Sequence, residues 1–395
     1  MNNVQRLRTE LVRPGMVVAE DIYSFTDQLI IGVGTPLTDR IITRLKFYSI
    51  DALLVYKPED PETVARPAAP AHRSATEQKP PVPEAIARPL GTGTEHLDTY
   101  IPQPSYISRI KQSQEFRTFS RAFSSSLVAS RGQITRFLND QSTLSVSELL
   151  QGVSLLRQAA PSSPGVFDML MCIRELDDAT FVHGLHVALL CSVMGSWLKL
   201  PRDDQDALTL AGLLHDIGKL KLPKSILSKP DRLTAEEYAL VQHHTRYGYE
   251  ILRELPLDDR IKTAALFHHE RCDGSGYPSG LSSEQIPEFA KIIGILDVYD
   301  AMVAARPYRG PVCPLEVVGI FETEGLKKYD PKYLLTFLDG VVNTYLHHTA
   351  LLNTGEKGEI IMINRYSLSR PVLHMESNRY LDLAKEPELT ITGII

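Results

Sequence analysis

The stretch from Ala211 to Asp300 decides how the chain is read. It begins AGLLHDIGKL (211–220), passes through QHHTRYG (242–248) and LFHHERCDGSGYP (266–278), and ends in GILDVYD (294–300). His215–Asp216, His244, His268–His269 and Asp297 are imidazoles and carboxylates set in apolar, helix-like runs, and His183 in FVHGLHVALL (181–190) adds one more. Neutral imidazole nitrogens with hard carboxylate oxygens suit Mn, Fe, Ni, Co or Zn, and a carboxylate can bridge two ions. A hydrolytic two-metal centre needs about this inventory, with positions left open for water and phosphate.

Taken in order, His183, HDIGK (215–219), His244, HHExxDGxGYP (268–278), Asp297 in LDVYDAM and RPYR (306–309) resemble the HD-GYP family, the HD-superfamily phosphodiesterases of cyclic di-GMP. The match spans roughly Phe167 to Asp339. The resemblance implies a metal set of His183, His215, Asp216, His244, His268, His269 and Asp297. Asp216 bridges two ions in that scheme, His183, His215 and Asp297 complete one site, and His244, His268 and His269 the other. The expected cofactors are two divalent ions per chain, Fe or Mn first, with Mg, Ni, Co or Zn as the alternatives. Asp216 and Lys219 are the implied catalytic residues, with Lys219, Arg306 and Arg309 on the substrate's phosphates. The glycine-rich loop Asp273, Gly274, Gly276, Tyr277 and Pro278 shapes the mouth of the site or meets a partner, with GGDEF-domain proteins the partners the family suggests. The products would be pGpG and, on a second cut, GMP.

One departure bears on stoichiometry. Some members carry a glutamate four residues before the first histidine that helps to hold a third metal. That position here is Ala179, which has no donor atom, and Asp178 points about 100° away around a helix. Two ions are therefore expected rather than three. Other histidines and acids are weighed singly: His186 as a core or supporting residue, His243 as a helix-flank residue, and Asp300, three residues after Asp297, as a carboxylate orienting a ligand imidazole. His72, His96, His347, His348 and His374 lie outside the match.

The rest of the chain is read for organisation. With 395 residues, 43% hydrophobic and 23% charged, it can bury a large core in two or three domains. A net charge of −6 gives no support for a DNA- or RNA-binding surface or a polybasic anchor, so an anionic substrate must be held by local cations. MNNVQRLRTE has no apolar signal core, VALLCSVMGSWL reads as a buried helix, and no membrane segment is indicated. The expected compartment is the cytoplasm. Cys172, Cys191, Cys272 and Cys313 form no CxxC pair, and Cys272 is read as a passive loop thiol.

Residues 1–57 read as a small mixed α/β module: strands in LVRPGMVVAEDIY, LIIGVGTPLTD and DALLVYK, and a helix in TDRIITRLKFYSI. Residues 58–100 are a Pro/Ala-rich linker without hydrophobic periodicity. Residues 101–164 form a helical connector, either one long helix or two, followed by a helix with a Ser145–Glu148 capping signature. It serves either dimerisation and signal transmission or packing on the bundle. Residues 165–340 predict an all-α bundle, with TAEEYALVQHHTRYGYEILREL as one helix capped by Thr234 and Glu237. Residues 341–395 alternate apolar and polar residues and read as three or four β-strands. The fold class is mainly α. Besides the hydrolase, two other readings stand: a cyclic-dinucleotide receptor or scaffold acting through partners, and an HD-type di-iron oxygenase, against which DGSGYP and RPYR argue.

Overall fold

The structure is a computed structural model, and it describes residues 4–8, 11–20, 22–23, 29–38, 41–42, 52–56, 106–140, 143–160, 162–173, 179–227, 229, 233–303 and 312–395. The linker 58–100, RPYR and Asp178 lie outside these residues, as does most of the TDRIITRLKFYSI helix expected in the first module.

The N-terminal residues close two antiparallel ribbons, β1 (Val4–Arg8) with β4 (Ala52–Tyr56), and β2 (Ile22–Tyr23) with β3 (Leu29–Ile31). Their apolar side chains form a core of their own around Val18, Leu53 and Val55. β1 was not visible in the sequence, because VQRLR carries only two apolar residues and finds its register by pairing Val4 with Tyr56. The strand expected after the Pro-Gly turn is instead two lone bridges, Val17 to Pro36 and Val18 to Val55, before the two-residue β2.

The connector is two helices, α1 (Tyr106–Gln112) and α2 (Gln114–Asp140), followed by α3 (Val146–Ala159). Ser113 makes the break: its Oγ accepts the Phe116 N–H at 3.0 Å and starts α2 afresh. The Ser145–Glu148 capping box does not form. Glu148 accepts a 2.6 Å hydrogen bond from Gln133 of α2 instead, a tie that stitches α3 to α2. The Thr234–Glu237 box does form, with both reciprocal bonds present.

The bundle follows as α4 (Ser163–Cys172), α5 (Ala179–Trp197), α6 (Arg202–Leu214), a 3-10 turn over Ile217–Lys221, a single helical turn at Lys224–Leu227, α7 (Ala235–Gln242), α8 (His244–Leu252), α9 (Asp259–Phe267), α10 (Glu288–Val303), α11 (Pro314–Ile320) and α12 (Pro331–Thr344). The helix expected over 234–255 is two, α7 and α8, divided at His243. α5 is apolar on nearly every face because it is the central element. Its window Thr180–Trp197 is long and apolar enough to cross a membrane, yet 67% of it is buried inside the protein. α6 crosses α5 at close range, since a Cβ on Gly212 would sit 2.6 Å from Cys191 Sγ. That crossing sets His183 on α5 beside His215 at the end of α6, with ring centroids 5.2 Å apart.

A single π-helical turn over Phe321–Gly325 leads to α12 and then to a five-stranded antiparallel sheet in the order β8-β7-β6-β5-β9. Its strands are β5 (Thr349–Leu352), β6 (Lys357–Met362), β7 (Val372–Met375), β8 (Tyr380–Asp382) and β9 (Ile391–Ile394). β5 is the additional strand: TALL follows the bundle's last helix too closely to separate by pattern. Connector, bundle and sheet share one hydrophobic core, from Phe119 and Phe123 through Leu189 and Ile293 to Ile360 and Leu373.

Glu322, buried in the π-turn, fastens the loop that joins β6 to β7. Its carboxylate accepts the N–H of Leu368 at 2.6 Å, the N–H of Ser369 at 3.2 Å and the Ser369 hydroxyl at 2.6 Å. Glu322→Ala leaves buried donors unpaired and should cost about 1–3 kcal/mol of unfolding free energy by urea titration. Glu324→Ala, which removes only an exposed i,i+4 pair to Lys328, should change stability by less than about 0.5 kcal/mol.

Candidate metal centre

The HD pair sits just past the end of α6, where the chain leaves the helix and tightens into the 3-10 turn. Asp216 takes φ −101° and ψ 9°, which swings its side chain inward, away from the helical path. The turn packs directly on α8: a Cβ on Gly218 would overlap the His244 carbonyl. This contact brings His244, the first residue of α8, to Asp216. His268 and His269 arrive at the end of α9, Asp297 on α10 and His183 on α5.

Asp216 is the hub, and its two oxygens face different imidazoles. Oδ1 lies 3.3 Å from His244 Nε2 and 3.8 Å from His268 Nε2. Oδ2 lies 3.4 Å from His215 Nε2 and 3.7 Å from His183 Nε2. Asp297 Oδ1 is 3.0 Å from His183 Nε2 and 4.0 Å from His215 Nε2, and its Oδ2 is 3.8 Å from His269 Nδ1. Two donor groups result, Asp216–His244–His268–His269 and His183–His215–Asp216, with the ligand atoms of each group within 4.8 Å of one another. All seven residues expected as metal ligands therefore converge on one site.

The backbone fixes the tautomers. Nδ1–H of His215 donates to Gly212 O at 2.8 Å, that of His244 to Val241 O at 2.7 Å, and that of His268 to Ala264 O and Ala265 O at 3.1 Å. Each ring's Nε2 is then an unprotonated lone pair aimed at Asp216. His215 Nε2 and Asp216 Oδ1 are buried and have no hydrogen-bond partner among the described residues. Buried acceptors left without a donor are costly unless a cation meets them, so the donor set fits divalent ions.

Electrostatics agree. Burial, with the neighbouring imidazoles, holds His268 well below its ordinary value. Burial takes His269 down to about 3 and lowers His244, leaving these rings neutral and able to ligate. Asp216 is buried, which favours its protonated form, yet the Lys219 ammonium holds it well below the usual carboxylate range. His183 is pushed down by burial but carried up to about 10 by hydrogen bonds to Asp297 and Asp300. Its proton marks a place where the carboxylates demand positive charge, and a divalent ion would supply that charge in its stead.

Lys219 Nζ reaches back from the 3-10 turn to Asp216 Oδ2 at 2.5 Å, at the rim of the pocket. The glycine-rich loop hangs beside the second donor group. Tyr277 stacks on His269 at 4.6 Å between centroids and presents an edge to His244. Gly274 takes a left-handed φ of +76°, as its glycine permits. Gly276 serves differently: its φ is ordinary, and what it supplies is space, because a Cβ would lie 2.5 Å from His269 O. The Tyr277–Pro278 peptide is cis. Asp273 caps its own loop by accepting from Ser275, at 3.0 Å from N–H and 2.6 Å from the hydroxyl.

Glu270 was not singled out in the sequence. Buried after the histidine pair, its carboxylate accepts the N–H of Ser279 at 2.7 Å and of Leu281 at 2.9 Å, clasping both ends of the loop. The signal was available: a carboxylate that follows two ligands and precedes a glycine-rich loop has unpaired backbone donors within reach. Asp300 takes the supporting position expected of it, 2.8 Å from His183 Nδ1. His243 is exposed and stacks on Tyr247, and burial raises the half-buried Cys272 thiol, as a passive residue requires. His347 pairs with Glu359 and His374 stacks on Tyr380, both on the C-terminal sheet. Arg306 and Arg309 lie outside the described residues.

Comparison with known proteins finds relatives of the stretch that carries this site. Residues 158–333 match the HD domain. The chain is 33% identical over 210 residues to the cyclic di-GMP phosphodiesterase PA4108 of Pseudomonas aeruginosa, covering 53% of this chain and 50% of that one. It is 41% identical over 175 residues to a cyclic di-GMP phosphodiesterase of Thermotoga maritima, covering 44% and 47%. It is also 43% identical over 163 residues to 3'3'-cGAMP-specific phosphodiesterase 1 of Vibrio cholerae, covering 40% and 38%. The chain thus spans about half or less of the length of these curated relatives. The HD pair at the end of α6, the histidines gathered on its aspartate and the DGSGYP loop laid against them are parts of one design, and the residues that build it lie within the stretch, 158–333, that matches the HD domain and is similar to these phosphodiesterases.

Proposed function

We propose that this chain is a metal-dependent phosphodiesterase that opens cyclic di-GMP to linear pGpG and, on a second cut, to GMP. One observation carries the proposal: Asp216 directs its two oxygens at two separate sets of imidazoles, and the buried Asp216 Oδ1 and His215 Nε2 have no hydrogen-bond partner among the described residues. Two divalent ions, Fe or Mn first, would be held by His183, His215, Asp297 and Asp216 on one side and by His244, His268, His269 and Asp216 on the other. Bound there, they would supply Lewis acidity and lower the pKa of water.

The chain's own groups do the rest. The backbone carbonyls behind His215, His244 and His268 keep those lone pairs aimed inward. Lys219, one ion pair away from Asp216, sits where its ammonium can turn to a phosphoryl oxygen as charge builds. Arg306 and Arg309 are assigned to the substrate's phosphates. Tyr277 walls the pocket over His269 and limits water at that side. The relatives named for cyclic di-GMP support that substrate, and the Vibrio relative makes 3'3'-cGAMP the dinucleotide to assay beside it. Residues 165–340 are proposed as the catalytic domain, with 1–57, the linker 58–100, the connector 101–164 and 341–395 around it. The exposed loop tip at Asp273–Gly274 is where a GGDEF-domain partner would dock, and a homodimer and a cytoplasmic setting complete the proposal.

The direct test is to purify the chain anaerobically, measure its metals and assay both dinucleotides with Fe and Mn. Two ions per chain and turnover of cyclic di-GMP are expected. Three ions in the wild type would overturn the argument from Ala179, whereas Ala179→Glu should recruit a third. Asp216→Ala should lose both ions and all turnover while circular dichroism keeps its helical signal, and full metal content in that variant would refute the bridge.

Lys219 and the arginines separate chemistry from grip, because charged ammonium and guanidinium groups do not ligate cations. Arg306→Ala should retain its metals and weaken substrate binding by about 1.5–3 kcal/mol. Lys219→Ala should also retain them but lower kcat more than it raises KM. Metal loss in either variant would remove that residue from the proposed phosphate contacts.

A further inference from the structure

Behind His183 lies a second histidine that the proposed chemistry does not use. His186 is one turn further along α5 and 3% exposed. Its Nδ1 lies 3.0 Å from Asp300 Oδ1, while His183 Nδ1 lies 2.8 Å from Asp300 Oδ2. The buried carboxylate therefore takes one N–H on each oxygen, from two imidazoles on the same helix face. His183 then turns its Nε2 to Asp297 and Asp216. His186 turns its Nε2 into the interior, where it has no hydrogen-bond partner among the described residues. The far side of the His186 ring rests on Phe123 of α2, 5.5 Å between centroids and tilted 60°. Phe123 is wholly buried and packs on Phe119, one turn back on the same helix.

A buried histidine with one nitrogen unpaired is a poor choice for packing alone. An apolar side chain would fill that space without leaving a polar atom stranded. What an apolar residue lacks is the Nδ1 donor. Without it, Asp300 keeps one partner instead of two and is free to rotate about its side-chain bonds. The imidazole that Asp300 aims at the metal pocket then loses its fixed direction. Because Phe123 backs the His186 ring, the position of α2 also enters this chain of contacts.

We infer that His186 is a positioning residue for the metal centre: it locks Asp300, which in turn aims His183, and Phe123 of the connector helix α2 holds the lock in place. The proposal rests on the two-metal reading of the site, and it makes the connector a part of that site rather than only a spacer.

The test uses the full-length chain and Mn2+ alone, titrated against a chromophoric chelator, with wild type beside each variant. His186→Phe keeps a ring against Phe123 but removes the donor, whereas His186→Asn removes the ring but keeps an N–H near the Nδ1 position. The phenylalanine variant is expected to bind Mn2+ about 10–100-fold more weakly, and the asparagine variant to recover a substantial part of that loss. A role in packing alone predicts the reverse order, and that result would overturn the inference. Phe123→Ala should weaken Mn2+ binding in the wild-type background but add little to His186→Phe, since both act through Asp300. Equal, additive losses would remove α2 from the relay. Should His186→Phe fail to fold, His186→Ala against His186→Asn makes the same comparison. Failure of the wild type to bind Mn2+ would instead refute the metal site itself, a distinct outcome.

Discussion

A buried carboxylate surrounded by imidazoles is the constraint on which the molecule turns. Asp216 is 3% exposed, and at such depth an uncompensated negative charge costs several kcal/mol. Lys219 meets part of that cost, while the imidazole lone pairs directed toward the same space add to the demand for positive charge, so the pocket is set up for cations before any arrives. Much of the bundle follows from assembling this one cluster. α5 and α6 must cross closely to pair His183 with His215, the 3-10 turn must press on α8 to present His244, and α9 must end where His268 and His269 project inward. The backbone carbonyls of α6, α7 and α9 then select the tautomers, so secondary structure sets the ligand chemistry as well as its position.

A second layer of carboxylates keeps this arrangement rigid. Asp300 supports His183 from behind, Glu270 closes the loop that carries Tyr277, and Glu322 joins the bundle to the sheet. Each is buried and each accepts at least two hydrogen bonds. A carboxylate with two satisfied oxygens fixes two separate segments at once, which one apolar contact does not do. The three differ in what they hold: a ligand side chain, a loop backbone and a neighbouring layer.

The residues that gather around Asp216 were legible because ligation needs particular side chains, and those side chains interrupt runs that are otherwise apolar. Helix identity was legible for the same reason, through periodicity. Local breaks were not. The division at His243, where no side chain caps α8, and the restart at Ser113, which turns on one side-chain to backbone bond, leave no trace in the apolar pattern. Ser145 and Glu148 show the opposite error, a local signature overridden when Glu148 found Gln133 on another helix. β1 escaped notice because it owes its strand state to a partner distant in sequence, and β5 because it follows α12 too closely to separate by pattern. Glu270 was hidden by similar logic, since its role lies in what it touches, and the sequence left His186 open between core and support for the same reason.

The continuity of the core has a practical meaning for how this protein is divided. The match to the HD domain stops at residue 333, while α12 runs from Pro331 to Thr344 and carries Phe337 and Val341 into the shared interior. It stops short of the other end as well, since Phe123 of α2 backs a residue behind the metal pocket. A fragment cut at the limits of recognisable kinship would sever a helix and strip apolar surface from both flanks. The stretch that kinship marks out is shorter than the stretch whose side chains share one interior.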